Sequence, residues 1–238
     1  MSDVPGSGVS ERWVEWRRTV DLVKYDQRWE TMAARGENVH GEADAVTRLI
    51  DKYGLGDRGP LAILDAGCGT GRLAVELERR ELERQELERR GRDVGGYTVT
   101  AIDLDPDMID KARSKSSTIE WLVGDLATFD VGCENTFYDL IVMAGNILNF
   151  CAPGTQAAIV RNMVNHLVDG GLFVCGWSQE LRDDAYLWTD FVRDAREAGA
   201  NLAETWTNWD GDTMPASTLG GEPVRSSDYA VIAVIKNS

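Results

Sequence analysis

A glycine-rich turn after a short apolar run constrains the fold more than any other feature of the sequence. Residues 61–64 are apolar, and residues 65–71 then read Asp-Ala-Gly-Cys-Gly-Thr-Gly. This pattern predicts a strand that leads into the start of a helix, where backbone N–H groups meet a ligand without an intervening Cβ atom. With Arg72 next, the spacing does not meet the dinucleotide fingerprint Gly-x-Gly-x-x-Gly, so a turn needed only for packing is the alternative.

Apolar runs alternate with helical patterns along the rest of the chain. The runs that read as strands cover residues 97–102, 118–123, 137–143 and 171–177, and the helical stretches cover residues 107–114, 154–167 and 185–198. This alternation predicts right-handed crossovers and a buried parallel sheet. Residues 201–209 and 228–236 read as two further strands with only the Gly- and Pro-containing residues 211–223 between them. We expect that pair to form an antiparallel hairpin at one edge.

The N-terminal part reads as a polar segment followed by two helices. Residues 1–9 are small and polar, and we expect them to be disordered. A helix is predicted from Ser10, because the following apolar residues recur at spacings of three and four. They are Trp13, Trp16, Val20 and Val23. A second helix is predicted from Gly41 to about Gly54.

Residues 76–90 are three consecutive pentads of the form Glu-Leu-Glu-Arg-Arg or Glu-Leu-Glu-Arg-Gln. Their composition favours helix, with Glu–Arg pairs three and four residues apart. A five-residue period turns each leucine about 140° from the last, so Leu77, Leu82 and Leu87 cannot share a buried face. We expect a charged, solvated helical insertion after the glycine turn. A coiled-coil surface, which needs a period of about 3.5 residues, is the alternative.

The charge balance argues against nucleic acid as a partner. The 238 residues include 40 Asp and Glu against 25 Lys and Arg, a formal net charge of −15, of which −12 falls in residues 101–238. A protein that neutralises phosphates needs a surplus of basic residues on some face. The longest apolar stretch, residues 140–151, is shorter than the ~18 residues expected of a membrane span. We therefore expect neither nucleic acid nor a membrane as a partner.

The cysteine and histidine content indicates the cellular compartment and excludes one kind of metal site. The four cysteines form no C-x-x-C pair, which indicates reduced thiols in a cytoplasmic protein. They are Cys68, Cys133, Cys151 and Cys175. The start of the chain lacks the basic and apolar segments of a secretory signal. With two histidines, His40 and His166, a histidine-rich metal site is excluded, and we predict no metal.

Acidic residues follow the second and third predicted strands. Asp103 closes the second strand, where an acid holds the ribose hydroxyls of a nucleoside about 20 residues after the glycine turn. The separation from Gly67 is 36 residues, and the 15 residues of the pentads account for the excess. The other interpretation, a cap for the next helix, fits Asp105 better. Asp125, after the third strand, either bonds the exocyclic amine of adenine or is an ordinary loop residue.

Two asparagines lie among apolar residues just after the fourth predicted strand. They are Asn146 and Asn149. Open α/β sheets bind ligands at this edge. The two residues are therefore either turn-formers or substrate contacts.

Taken in order, these motifs closely resemble those of the class I S-adenosylmethionine-dependent methyltransferases. The segments are Ile-Leu-Asp-Ala-Gly-Cys-Gly-Thr-Gly (63–71), Ala-Ile-Asp-Leu-Asp (101–105), Gly-Asp-Leu (124–126), Phe-Tyr-Asp-Leu-Ile (137–141) and Leu-Val-Asp-Gly-Gly (167–171). The resemblance covers about residues 25–177. It implies a Rossmann-like α/β fold, a three-layer sandwich around a seven-stranded, mostly parallel sheet of order 3-2-1-4-5-7-6 with one antiparallel strand. Residues 10–238 would form a single domain.

The resemblance also implies a cofactor and its contacts. S-adenosylmethionine would bind and S-adenosylhomocysteine would be the product. The implied contacts are Asp65, Gly67 and Gly69 with the methionine part, Asp103 with the ribose, Leu104 with the adenine face, Asp125 and Leu126 with the adenine edge, and Ala144 beside the sulfonium. Residues 25–42 resemble the lid of members that act on small molecules, which makes residues 10–54 the lid helices. Trp29 and His40 are candidates to close over the methionine end, unless Trp29 is a core aromatic.

A small organic acceptor is the predicted substrate. The Asn/Asp-Pro-Pro-aromatic motif that family members use for nucleobases is absent after the fourth strand. We expect in-line transfer of the methyl group to an N or O atom, mainly through positioning, and no catalytic residue is assigned. The pocket candidates are Asn146, Asn149, Trp177, Ser178 and Gln179. The alternatives are an NAD(P)-dependent oxidoreductase on a similar sheet and a catalytically silent cofactor-binding regulator.

Overall fold

The structure is a computed structural model that describes residues 9–88, 96–130, 137–179, 185–214 and 229–238. In that part of the chain the strands are β1 (Leu61–Ala66), β2 (Tyr97–Asp103), β3 (Glu120–Val123), β4 (Tyr138–Met143), β5 (Leu167–Ser178), β6 (Ala200–Trp206) and β7 (Tyr229–Lys236). The helices are α1 (Glu11–Thr19), α2 (Leu22–Ala34), α3 (Gly41–Lys52), α4 (Arg72–Glu88), α5 (Pro106–Arg113), α6 (Ile147–Phe150), α7 (Gln156–Asn165) and α8 (Trp188–Glu197). A short 3-10 helix, Leu55–Arg58, precedes β1.

The strands form one sheet in the order β3-β2-β1-β4-β5-β7-β6, which confirms the predicted topology. Strands β1 to β5 pair in parallel, and β7 runs antiparallel to both β5 and β6. In the β5–β7 register, Tyr229 lies opposite Ser178. The first residue of β7 therefore lies at the carboxyl-terminal edge of the sheet, where the parallel strands end.

The sheet is buried on both faces, as the continuous apolar runs predict. In β1, Ile63 packs in a cluster with Leu49 of α3, whereas Leu64 packs in the opposite cluster with Val160 of α7 and Phe191 of α8. All five side chains are fully buried. Helices α3, α4 and α5 thus cover one face, and α6, α7 and α8 cover the other, which gives the three layers.

The N-terminal helical region differs from its prediction. Two helices replace the single one, because Val20 is extended and Asp21 accepts hydrogen bonds from the backbone N–H groups of Val23 and Lys24 as the N-cap of α2. Val23, placed on the apolar face by its spacing, is 52% exposed. Of the predicted disordered segment, residues 1–8 lie outside the described residues, and Val9 forms an antiparallel bridge with Cys151.

The pentads continue α4 as one helix as far as Glu88. Leu77 is fully buried and Leu82 is 57% exposed, in line with the rotation of about 140° between successive leucines. The expectation of a solvated helix is wrong for Glu76 and Glu81, which are buried. Two arginines of the repeat, Arg79 and Arg80, donate hydrogen bonds to Glu76. The side chain of Leu87 and residues 89–90 lie outside the described residues.

Smaller differences concern element ends. Strand β5 begins at Leu167, four residues before the predicted start, and the short helix α6 was not predicted. Cys133 and most of the 211–223 connection lie outside the described residues. Within the described residues, Cys68, Cys151 and Cys175 are free thiols. Over the described ranges, no helix is both long and apolar enough to cross a membrane.

Candidate cofactor and acceptor site

A cavity of about 560 Å³ opens at the edge of the sheet where β1, β2 and β4 end. The glycine turn, the residues after β2 and β4, the lid helices α1 and α2, and the first residue of β7 form its wall. Nine of the ten residues predicted to bind the cofactor line it, together with Asn146 from the predicted acceptor group. The nine are Trp29, Asp65, Gly67, Gly69, Asp103, Leu104, Asp125, Leu126 and Ala144. The fold therefore brings these ten residues from five separate segments of the chain to one cavity.

The turn after β1 requires glycine for two different reasons. Gly67 has φ +77°, and a Cβ atom on it would lie 2.7 Å from the side chain of Ile147. Gly69 has φ +55°, but a Cβ atom there would meet nothing within 4 Å. Gly67 thus allows close packing of the turn against α6, while Gly69 keeps the backbone open toward the cavity.

Asp103 is held beside the turn by backbone amides. Gly69 N donates to Oδ2 at 2.8 Å, and Asp105 N donates to Oδ1 at 2.9 Å. Burial raises the pKa of Asp103. Asp105, not Asp103, caps α5 by accepting from Asp107 N, as predicted. Each carboxylate oxygen of Asp103 retains a lone pair for a hydroxyl of a ligand in the cavity.

Asp65 is a charged group in an unfavourable environment. It is 2% exposed, and burial raises the pKa of its carboxyl to about 7, although the nearby positive charge of Arg72 opposes this rise. The backbone N–H of Ala74 donates a hydrogen bond to its Oδ2 atom at 3.1 Å. A cationic group that entered this end of the cavity would stabilise the carboxylate.

Arg72 organises the same end of the cavity. Its guanidinium donates two hydrogen bonds to Glu42, from Nη1 at 3.1 Å and from Nη2 at 2.5 Å, and a third from Nη1 to the Val39 carbonyl. The Cζ atom of Arg72 lies 4.3 Å from the ring centroid of Trp29, within cation–π range. This group joins α2, α3 and α4 at the methionine end predicted from the sequence.

Polar contacts attach the lid helices to the rest of the protein. No side chain in α1 or α2 is fully buried. Arg17 of α1 pairs with Asp105 and Asp107 at the start of α5. Asp26 of α2 accepts a hydrogen bond from Thr70 and pairs with Lys115 at 2.9 Å. Ion pairs that are partly exposed to solvent are weak, so this attachment is compatible with opening for ligand exchange.

The far end of the cavity is lined by Asp125 and Leu126. The Oδ1 atom of Asp125 accepts from Ala127 N at 2.9 Å. The amide of Asn162 in α7 donates to the carbonyl of Leu126 at 3.0 Å, which fixes the loop after β3. Cys151, whose pKa is raised to about 12 mainly by burial, lines this end.

Asn146 is the predicted acceptor residue that lines the cavity. It has φ +68°, the only positive φ of a non-glycine residue in the described ranges. Its Oδ1 accepts from Ser178 N at 2.7 Å, so the amide is oriented by the end of β5. Among the described residues, no hydrogen bond engages the Nδ2 group, which can serve as a donor to a ligand. Both interpretations offered by the sequence, turn-former and ligand contact, are compatible with this position.

Five predicted residues are not brought to the cavity wall among the described residues. The Asn149 amide donates to the Ser178 carbonyl, and Gln179 accepts from Trp188 N. Trp177 is fully buried in the core. His40 precedes α3, with Nδ1 3.8 Å from Glu76. These four residues and Ser178 therefore contact other parts of the protein and do not line the cavity.

Other lining residues were missed by the sequence interpretation. Tyr25 and Arg28 lie on α2 with Trp29, and the four-residue spacing of Tyr25 and Trp29 could have indicated them. Trp209 and Tyr229 had no such signal, because only the β6–β7 hairpin brings them to this edge. The indole Nε1 of Trp209 donates to Tyr229 Oη at 3.1 Å.

Gly176 provides the space in which Trp209 packs. A Cβ atom at Gly176 would lie 2.4 Å from the indole ring. The absence of a side chain on β5 therefore allows Trp209 to reach the cavity.

The chemistry of the cavity fits S-adenosylmethionine. It offers a carboxylate and an arginine at one end for an amino acid group, a carboxylate beside the glycine turn for a ribose, and an apolar, acid-flanked far end for an adenine. Gly69 leaves the turn open for close approach. Over the described residues, no cluster of three His, Cys, Asp or Glu side chains could hold a metal ion.

Known proteins that resemble this chain are methyltransferases. The sequence profile described as "Methyltransferase domain" matches residues 63–171. A magnesium-protoporphyrin O-methyltransferase of Rhodobacter capsulatus is 30% identical over 96 residues, which cover 38% of this chain and 34% of that protein. A ubiquinone biosynthesis O-methyltransferase of Methylocella silvestris is 28% identical over 180 residues, or 67% and 63% of the two chains. The chain thus spans less than two thirds of the length of both curated relatives.

A solved structure extends the likeness to nearly the whole chain. The TehB-like SAM-dependent methyltransferase from Corynebacterium glutamicum superposes with a TM-score of 0.67 at 28% identity, over 90% of this chain and 97% of that chain. Together with the strand order and the sequence profile, this likeness identifies residues 63–171 as a methyltransferase domain on the fold shared by S-adenosylmethionine-dependent methyltransferases.

Proposed function

We propose that the protein transfers a methyl group from S-adenosylmethionine to an N or O atom of a small organic acceptor. The observation that carries this proposal is one cavity of about 560 Å³ that is lined both by the residues predicted to bind the cofactor and by aromatic side chains of the lid helices. An acceptor entering under the lid would meet the cofactor's methionine end near Ala144, Gly145 and Asn146.

The residues that would hold the cofactor divide by charge. Asp65 would pair with the ammonium of the methionine part, and Arg72 would attract its carboxylate. Asp103 would accept from the ribose hydroxyls, and Asp125 from the amine of adenine. When bound, the cofactor supplies a methyl group on a sulfonium: the acceptor's lone pair forms the new bond to carbon, the carbon–sulfur bond breaks with its electrons on sulfur, and the acceptor's proton passes to water.

Positioning and exclusion of water are the protein's contribution. No histidine lines the cavity among the described residues. Glu42 is bound by Arg72, and Asp103 accepts from backbone amides. Asp65, whose pKa burial raises to about 7, is assigned to the cofactor. An acceptor that ionises in water, or an amine, therefore suits the site, because alignment of the two reactants supplies most of the rate.

Both curated relatives are named as O-methyltransferases, which favours an oxygen acceptor as the first to test. The charge supports a small acceptor: with a net −15, the chain offers no basic surplus for a nucleic acid. The alternative of a nucleotide-dependent oxidoreductase lacks support, because the glycine turn is followed by Arg72 where that fingerprint continues to a third glycine.

Transfer of a labelled methyl group tests the proposal. The protein is incubated with methyl-labelled S-adenosylmethionine and a panel of phenols, carboxylic acids and amines, and labelled products are separated by chromatography. We expect a labelled product, and none with Asp103→Ala. If the protein binds the cofactor but labels no compound in the panel or in a metabolite extract, the result would favour the alternative of a catalytically silent cofactor-binding regulator.

A further inference from the structure

Arg28 is a cation of the cavity wall that the proposed function does not use. It lies on the lid helix α2, and its Cζ atom is 4.4 Å from the ring centroids of both Tyr25 and Trp29. In the described part of the chain, no carboxylate lies within ion-pair distance of it. A guanidinium stacked on rings keeps its in-plane N–H groups free for a carboxylate.

Arg72, the other arginine that lines the cavity, is differently placed. Glu42 and the Val39 carbonyl engage its guanidinium. It is also the cation whose charge acts most strongly on Asp65. In the proposed function, the ammonium and the carboxylate of the cofactor are assigned to Asp65 and Arg72. Arg28 is then left with a positive charge that nothing in the cofactor balances.

Aromatic rings from two distant parts of the chain line the same cavity. Tyr25 and Trp29 reach it from the lid, and Trp209 and Tyr229 reach it from the hairpin at the sheet edge. Trp209 is held by Gly176 below its ring and by the hydrogen bond to Tyr229. Rings fixed in this way favour a planar aromatic ligand, because stacked and edge-to-face contacts add to its burial.

We infer that the methyl acceptor is an aromatic acid, whose ring packs between the lid aromatics and Trp209 with Tyr229 and whose anionic group pairs with Arg28. This inference rests on the proposed function and names its substrate class. It also gives the lid a role in selection, since α2 carries both the cation and two of the rings.

Matched acceptor analogues test the inference by titration into protein saturated with S-adenosylhomocysteine. The probes are 4-hydroxybenzoate, its neutral isostere 4-hydroxybenzamide, and trans-4-hydroxycyclohexanecarboxylate, which keeps the acid but not the ring. We expect the aromatic acid to bind roughly tenfold tighter than the amide, as for one charge-assisted hydrogen bond. The saturated acid should bind several-fold more weakly than 4-hydroxybenzoate.

Two arginine variants separate the role of Arg28 from general charge. Arg28→Gln should remove the preference for the acid over the amide, and Arg28→Lys should restore part of it. Arg35→Gln is the control, because Arg35 ends the same helix and does not line the cavity. It should keep the preference of the wild type. Thermal melts check that the variants are folded.

Three results would overturn the inference. Equal binding of the acid and the amide, or no binding of any probe, would contradict the inference that the acceptor is an aromatic acid. A loss of S-adenosylhomocysteine affinity in Arg28→Gln, with 5′-methylthioadenosine unaffected, would assign Arg28 to the cofactor's own carboxylate. If the wild type bound no S-adenosylhomocysteine at all, the proposed function itself would fail, which is a distinguishable outcome.

Discussion

Replacement of Asp65 by asparagine should stabilise the protein without ligand and weaken cofactor binding at the same time. Asp65 is 2% exposed, and burial raises the pKa of its carboxyl from 3.8 to about 7. The folded state therefore holds its proton more tightly than the unfolded chain does. Asparagine keeps an oxygen that can accept from Ala74 N but carries no charge.

The magnitude follows from linkage between proton binding and folding. A rise of about three pKa units corresponds to roughly 4 kcal/mol as an upper limit. Because the folded pKa is raised, the free energy of unfolding of the wild type falls as pH rises from about 4 to about 7. The gain from Asp65→Asn should thus be near zero at pH 4 and reach about 2–4 kcal/mol at pH 8.

Urea unfolding followed by tryptophan fluorescence, at pH 4 to 8, measures this gain. Asp110→Asn is the matched control, since Asp110 is exposed on α5. Titration with S-adenosylhomocysteine should show that Asp65→Asn binds at least tenfold more weakly, because a charge-assisted bond to the ammonium is lost. If Asp65→Asn were less stable than the wild type at pH 8, or if the difference did not change with pH, the account of Asp65 would be wrong.

Three further predictions concern the turn, the lid and the pentads. Gly71→Ala should lower the melting temperature much more than Gly69→Ala, since a Cβ atom at Gly71 would lie 2.5 Å from the ring of Trp121, and equal melts would contradict this. Gly69→Ala should instead weaken S-adenosylhomocysteine binding. Arg17→Gln should speed its dissociation in stopped flow at nearly unchanged melting temperature, with a smaller effect in high salt; an unchanged rate would mean that the lid is not held there. Glu76, whose pKa is lowered to about 2 by hydrogen bonds from Arg79 and Arg80 that outweigh its burial, stabilises the fold above about pH 4.5 and progressively less as pH falls toward 2. Glu76→Gln should therefore reduce the free energy of unfolding at pH 7 and have little effect near pH 2, and a loss that is the same at both would refute this.

The architecture could be predicted because it depends on local patterns. The apolar runs, the glycine turn and the acidic residues each lie within a few residues of a strand end, and together they led to the observed strand order. The distinction between Asp103 and Asp105 was also local, since a cap must precede its helix by one residue. Subtracting the 15 pentad residues placed Asp103 at the expected distance from the turn.

Features that depend on contacts between distant segments could not be predicted. Trp209 and Tyr229 reach the cavity only because β7 inserts between β5 and β6, and Trp209 needs Gly176 on a different strand. Trp177 is a predicted pocket residue, but its Nε1 group donates to the Tyr186 carbonyl within the core. The sequence predicts a solvated Glu76, whereas the folded helix buries it with hydrogen bonds from Arg79 and Arg80.

The central claim is that this cavity binds S-adenosylmethionine through the carboxylate at the end of β2. Calorimetric titration with S-adenosylhomocysteine of the wild type, Asp103→Ala and the control Asp110→Ala tests it most directly. We expect one site per chain in the wild type and the control, a loss of tenfold or more in Asp103→Ala, and no binding of NAD. Unchanged affinity in Asp103→Ala, or binding of NAD instead, would contradict the account.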